Sequence, residues 1–407
     1  MDGIALAPIG VLLLIACLIA ILTRRLGLPY IVGLLVAGFL IALLPNGPDL
    51  PLSQSLIFNI FLPPLVFEAA LQLDWRRFRH ELPLTVTLAL LGVAIAAVVV
   101  ASGMHWILGW SWIGALLFGV LIAATDPVSV IASFREMGCQ PRVSMIVEAE
   151  SLLNDGVAAV GFAVLSAIAA GASPGAGNVI PAFLWTLGGG VAIGLAVSGA
   201  ILLIVGRTGD PLVEITLTTI AAYGAFLIAQ QFGSSGIISA LSAGLLIGSF
   251  GTRFLSRGGR DRVRSTWEYF AFLANSFVFI LIGMSIASQP LERLGSRAAV
   301  VAILLVLAGR GLSVYPVSAL FVRSRWRLKP AFQHTLFWGG LRGALALALA
   351  LSVPRSVPER ALIIVTAFAV VAFSILVQGL TMPWLIQRLQ LGRREPPEPV
   401  AAPAVSG

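Results

Sequence analysis

Apolar runs follow one another along almost the whole chain, each cut off by a short polar or Gly/Pro-rich turn. An α-helix needs about 17–25 such residues to cross a bilayer. The pattern resolves into about thirteen runs: 4–22, 30–45, 53–72, 83–104, 111–133, 143–170, 179–206, 211–231, 236–250, 267–287, 298–321, 331–352 and 360–386. Two of them, 30–45 and 236–250, are short for a span. The expected fold is an all-α polytopic membrane protein. Its transmembrane domain would cover 1–390, followed by a disordered tail over 391–407 that is rich in Pro and Ala.

Composition agrees with the pattern. The chain is 58% hydrophobic and 11% charged, with mean hydropathy +0.98; a soluble domain has about 45–50% apolar and about 25% charged residues.

The distribution of charge then orients the helices. Of the 26 Lys and Arg residues, 20 fall in the odd-numbered connections and the C-terminal tail, four in the even-numbered ones and two inside runs. The four are Arg293, Arg297, Arg355 and Arg360; the two are Arg310 and Arg342. Basic residues collect on the cytoplasmic side, so the N-terminus is expected outside and the C-terminus inside a cell membrane. The net charge of +8 follows from this topology and does not call for nucleic acid. The first run has no basic segment before it and no small-residue cleavage site after it, so a removed signal peptide is not expected. Cys17, Cys139 and three scattered histidines suggest neither a disulfide nor a metal centre, and no cofactor is expected. No phosphate-binding G-x-x-x-x-G-K-[ST] loop is present, so coupling to an ion gradient is expected and not ATP hydrolysis.

Several ionisable residues lie inside the runs: Glu68, Asp126, Glu148, Glu150, Asp155, Arg310 and Arg342. Each costs roughly 2.5–3.5 kcal/mol at a helix centre, which a neighbouring leucine offsets by only about 0.3–0.6. An acid and an arginine could pair and join two helices, and that is the preferred reading for Glu150. Five acids against two arginines still leave a negative excess, and unpaired buried carboxylates take up protons or cations.

In VEAESLLNDGVAAV (147–160), Glu150, Ser151, Asn154 and Asp155 share one face of less than half a helix. Such oxygen ligands suit hard monovalent cations and protons. Glu148, nearer the cytoplasmic end, fits a wet funnel mouth. In the preceding run, LIAATDPVSVI (121–131), Pro127 interrupts the helix and places Asp126 and Thr125 at the break. FWGGLRGALALALA (337–350) has Gly339, Gly340 and Gly343 loosening the chain around Arg342, which could compensate carbonyl dipoles between half-helix ends. Two interrupted helices, seven apart, point to an inverted-repeat secondary transporter.

Together ATDPVSV (124–130), ESLLNDG (150–156), FLPPLVFEAA (61–70) and GGLRGALALAL (339–349) resemble the sodium/proton exchanger family, the bacterial NhaP-type antiporters and the membrane domains of eukaryotic exchangers. The resemblance spans about residues 4–390. It implies an NhaA-like fold with inverted repeats, two crossing broken helices and a homodimer built from core and dimerisation subdomains. It implies Asp155 as the ion- and proton-binding carboxylate, with Asp126, Thr125, Ser151 and Asn154 around the ion, so that Na+ would sit at Asp155 and Asp126. Glu150 resembles the family's structural acid, with Arg310 the first choice of partner and Arg342 the second. The Asn154–Asp155 pair resembles the electroneutral one-for-one group, serving pH and cation homeostasis. Li+ or K+ are alternatives to Na+; a cation channel and a proton-coupled solute carrier are alternatives to exchange. Glu68 is read either as an outer-funnel acid or as a helix-end residue, His334 as a packed histidine or a tuner of pH response, and Glu214 and Glu268 as acids at helix starts.

Overall fold

A computed structural model describes residues 6–44, 52–171, 179–207, 209–289 and 295–392. The expected tail falls outside the described residues from 393 onward, as does Arg293. Packing extends through Leu391, which is buried and whose N–H donates to the Ile386 carbonyl.

Among the described residues the chain is entirely helical, and every apolar run coincides with a helical segment. In order these are α1 (Leu6–Leu26), α2 (Tyr30–Ala42), α3 (Gln54–Gln72), α4 (Trp75–Leu108), α5 in two halves (Trp112–Leu121 and Val128–Glu136), and α6 (Pro141–Ala169). Then come α7 (Val179–Val205), α8 (Pro211–Gln231), α9 (Gly236–Phe250), α10 (Arg257–Ala287) and α11 (Ser296–Leu320). The last two are α12, also in two halves (Pro330–Trp338 and Ala344–Leu351), and α13 (Arg360–Arg388). Among the described residues eight helices are individually long and apolar enough to cross a membrane, while α2 and α9 are short.

The starts follow local chemistry. Asp74, Ser111, Asp210, Ser235 and Ser256 each accept a hydrogen bond from a first-turn amide, and Pro141, Pro211 and Pro330 occupy first helical positions. Two helices begin well before their apolar runs, α4 at Trp75 and α10 at Arg257. Apolarity marks where lipid lies, whereas helical hydrogen bonding continues into water until a cap ends it. Glu268 therefore lies inside α10, not at its start, one turn from Arg264 (3.3 Å). Glu214 caps a neighbour: Asp210 caps α8, and the Glu214 carboxylate accepts from the Ser256 amide (3.0 Å) where α10 begins.

The helices pack as two groups. In one, α10 lies on α2 and α3, and α9 on α3, α7 and α8. Its interior holds Phe67 against Trp267, ring centroids 4.4 Å apart and tilted by 43°, with the indole N–H donating to Thr218 Oγ1 at 3.1 Å. In the other, α4 lies on α11, α5 and α6, and α13 on the second half of α12. The second group thus repeats a helix, a broken helix and a helix (α4–α6, then α11–α13). Both broken helices and the polar face of α6 belong to it.

Candidate ion-binding site

The breaks in α5 and α12 cross. Around Pro127 the chain leaves helical conformation from Ile122 to Pro127, and around the glycines from Gly339 to Gly343. The two extended segments are bonded directly, Asp126 N–H donating to the Leu341 carbonyl at 2.7 Å. The Asp126 carboxyl lies against Gly343, where a Cβ would overlap it. Its Oδ1 accepts from Val128 N–H (3.1 Å) at the start of the second half of α5. The positive N-terminal ends of two half-helices therefore meet at Asp126.

The opposite ends are met by arginines. Arg342 Nη1 donates to the carbonyls of Ala123 (3.0 Å) and Ala124 (3.2 Å), the C-terminal end of the first half of α5. Arg310 Nε and Nη2 donate to the Leu336 carbonyl (3.2 and 3.0 Å), in the last turn of the first half of α12. Each arginine supplies positive charge and donors where a helix interrupted in the membrane leaves carbonyls without intrahelical partners.

Arg310 also holds Glu150 by both oxygens, at 2.8 and 3.0 Å, with the arginine 7% and the acid 2% exposed. Arg342, the second choice for that pairing, is given over to the α5 carbonyls. Asn154 links the pair to the α5 break. Its Nδ2 donates to Glu150 Oε1 (3.1 Å) and Thr125 Oγ1 (2.7 Å), and its Oδ1 accepts from Thr125 N–H (3.2 Å). Thr125 Oγ1 donates to Ser151 Oγ (3.1 Å), and Ser151 Oγ donates to the Thr125 carbonyl. One hydrogen-bonded chain thus runs from the α5 break through α6 to the α12 break.

Beside this network a cavity of about 570 Å³ reaches the surface at the exposed Arg24 and Arg135. Thr125, Asp126, Ser151 and Asp155 line it, as do Glu68 and Glu148. Glu150 and Asn154 do not, so Asn154 acts as a strut behind the site and not as part of its wall. Asp155 Oδ1 is buried without a hydrogen-bond partner among the described residues, in contrast to the fully engaged Glu150. Next to the α5 break the lining so offers the carboxylates of Asp126 and Asp155 and the hydroxyls of Thr125 and Ser151, a set suited to a hard cation or a proton.

Glu68 lines this same cavity, as do Arg24 and Arg135. It is bonded to Gln72 Nε2, and Gln72 Oε1 accepts from Arg135 (2.8 Å). His334 is bonded to the Tyr315 hydroxyl at 2.8 Å and lies away from the cavity lining. Sequence reasoning overlooked Ser374 and Gln378. A π-helical stretch over Ser374–Gly379 of α13 turns them toward the α12 break, where Ser374 Oγ accepts from Arg342 N–H (3.0 Å) and Gln378 donates to the Trp338 carbonyl (3.1 Å). Nothing in the apolar run announces that stretch.

Residues 11–388 match the family model "Sodium/hydrogen exchanger, transmembrane". The chain is 40% identical over 367 residues to the Na(+)/H(+) antiporter ApNhaP of Aphanothece halophytica, covering 89% of this chain and 70% of that protein. It is 36% identical to the Na(+)/H(+) antiporter NhaS2 of Synechocystis, covering 95% and 71%. Its fold is similar to that of the sodium proton antiporter MjNhaP1 of Methanocaldococcus jannaschii, with TM-score 0.79 over 97% of this chain and 100% of that one, at 20% identity.

Proposed function

The chain belongs to the sodium/hydrogen exchanger family, and from that premise we propose that it exchanges Na+ for H+ at Asp155. The observation that carries the assignment is the contrast between Glu150 and Asp155, both on α6. Glu150 has both oxygens bound by Arg310, while Asp155 faces the cavity with Oδ1 unpartnered, beside the break that carries Asp126. A buried carboxylate left so is stabilised by a proton or by a cation. One site that holds either but not both makes the two fluxes obligatory partners.

Asp126, Thr125 and Ser151 complete the site, through water or directly, with the α5 and α12 N-terminal ends fixing Asp126. Loaded with either substrate, the α4–α6 and α11–α13 group moves as a body against the α1–α3 and α7–α10 group, carrying the site from one face to the other. The arginine-rich surface at the cavity mouth is the cytoplasmic one by the charge rule, which makes this an inward-facing state in a plasma membrane. The α1–α3 and α7–α10 group would supply the homodimer contact. Asn154 supports an electroneutral one-for-one cycle, because an amide engaged in three hydrogen bonds adds no second proton site.

Proteoliposomes with an internal pH dye test the reading. Sodium-driven proton flux is expected from the wild type and none from Asp155→Asn; flux retained by that variant overturns the assignment. Running the wild type with and without a potassium clamp reports charge balance, and substituting Li+ or K+ reports selectivity.

A further inference from the structure

The breaks are braced at the crossing by Asp126 and Arg342, but each of the halves Trp112–Leu121 and Ala344–Leu351 also has a far end, away from the cavity. Both far ends are held by two adjacent residues where the α12–α13 connection enters α13, Glu359 and Arg360. Ser111, which caps the first of these halves, donates from its N–H to Glu359 Oε1 and from its hydroxyl to Glu359 Oε2, each at 2.8 Å. The carboxylate also packs on the first turn at Gly114, where a Cβ would strike it. Arg360 Nε donates to the Val353 carbonyl (2.8 Å) and Nη2 to the Leu351 carbonyl (3.3 Å), at the C-terminal end of the second of these halves.

Each of these two half-helices therefore carries an acid at its N-terminal end and an arginine at its C-terminal end: Glu359 and Arg342 on one, Asp126 and Arg360 on the other. The signs are those the helix dipole favours at every corner. Glu359 lies 248 positions from Ser111, so the tie is tertiary and not a local cap. Two short helices fixed only at their crossing could still turn about it; fixed at all four ends, they hold one angle.

We propose that Glu359 and Arg360 are positioning residues for ion binding: a far-side clamp that sets the angle between the two half-helices and thereby the placement of Asp126 beside Asp155. The half-helix Trp112–Leu121 transmits that setting over roughly 15 Å, ten residues at about 1.5 Å each. The inference rests on the exchange reading above, since it takes Asp126 and Asp155 as the site.

The test measures sodium-driven proton flux in proteoliposomes across a series of Na+ concentrations and pH values. The variants are Glu359→Gln, Arg360→Gln, Arg360→Lys and Ser111→Ala, with melting temperatures of the purified proteins in parallel. Glu359→Gln and Arg360→Gln are expected to raise the apparent KM for Na+ by about fivefold, the lower range of site-to-site coupling, with maximal rate little changed. Arg360→Lys, which keeps the charge at the helix end, should recover part of the affinity. Wild-type KM and pH profile in Glu359→Gln and Arg360→Gln, whatever their melting temperatures, would overturn the proposal. Should those variants fail to fold, Ser111→Ala, which removes the hydroxyl's bond to Glu359 and its cap on Gly114 N–H but leaves the backbone tie, decides it by the same KM criterion. Absence of flux in the wild type would instead defeat the exchange reading.

Discussion

Arg310 reaches across 160 positions of sequence to hold both oxygens of Glu150, and the same guanidinium caps the Leu336 carbonyl of the broken α12. The pair therefore fastens α6, α11 and α12 together at the depth of the site. Removing the acid's charge leaves a buried arginine with one carbonyl and a neutral amide, a change that typically costs about 3–5 kcal/mol. Glu150→Gln is expected to lower yield and melting temperature in detergent sharply. A variant as stable as the wild type would show that the pair is dispensable.

Asp155 should behave in the opposite sense. Its Oδ1 makes no hydrogen bond among the described residues, so an amide there removes a poorly compensated charge. The expected result for Asp155→Asn is a melting temperature equal to or above that of the wild type in a protein without exchange. A marked loss of stability would mean that Asp155 serves the fold, and Glu150 and Asp155 would need to trade roles.

Asn154→Asp tests the strut. The native Nδ2 donates to Glu150 Oε1 at 3.1 Å, and a carboxylate would put two acceptors face to face in a buried site. Thermal melts should show destabilisation at neutral pH that eases as the pH falls and the introduced acid takes up a proton. Melting curves that stay parallel to the wild type from acid to neutral pH would contradict the geometry.

Gly343→Ala adds one methyl group where Asp126 lies against the backbone. Exchange should fall by an order of magnitude or more, about the loss expected when a reacting group is displaced by an ångström, while the helical content seen by circular dichroism is unchanged. Full activity would mean that the close approach at Gly343 does not fix Asp126.

Competition for one site also predicts a pH dependence. In the acid limb, each unit fall in pH should raise the apparent KM for Na+ by roughly tenfold, the change in proton concentration, while the rate at saturating Na+ holds. A KM independent of pH would require separate sites for ion and proton.

Much of this arrangement was legible in the sequence because it rests on residues with local consequences. Pro127 has no amide to donate, and Gly339, Gly340 and Gly343 permit an extended chain, so both breaks could be located. Helical periodicity put Glu150, Ser151, Asn154 and Asp155 on one face. What periodicity does not contain is which helix stands opposite that face. The sequence leaves the choice between Arg310 and Arg342 open for that reason, and it does not show the direction of the Asn154 amide, which depends on Thr125, 29 positions away. Glu359 and Arg360 drew even less notice. In an even-numbered connection they look like ordinary loop charges, and only tertiary contact with Ser111 and Leu351 distinguishes them.

The shortness of the half-helices has an electrical consequence. With a wet cavity reaching Asp155 from one face, the aqueous conductor extends to the crossing. The membrane voltage then falls mainly across the Trp112–Leu121 and Ala344–Leu351 layer, roughly 15 Å thick, where an unbroken hydrocarbon slab would spread it over about 30 Å. The field in that layer is about twice as steep. A net charge carried across it exchanges about 2.3 kcal/mol of work per 100 mV with the membrane; a carrier that returns one proton for each sodium ion completes its cycle with none.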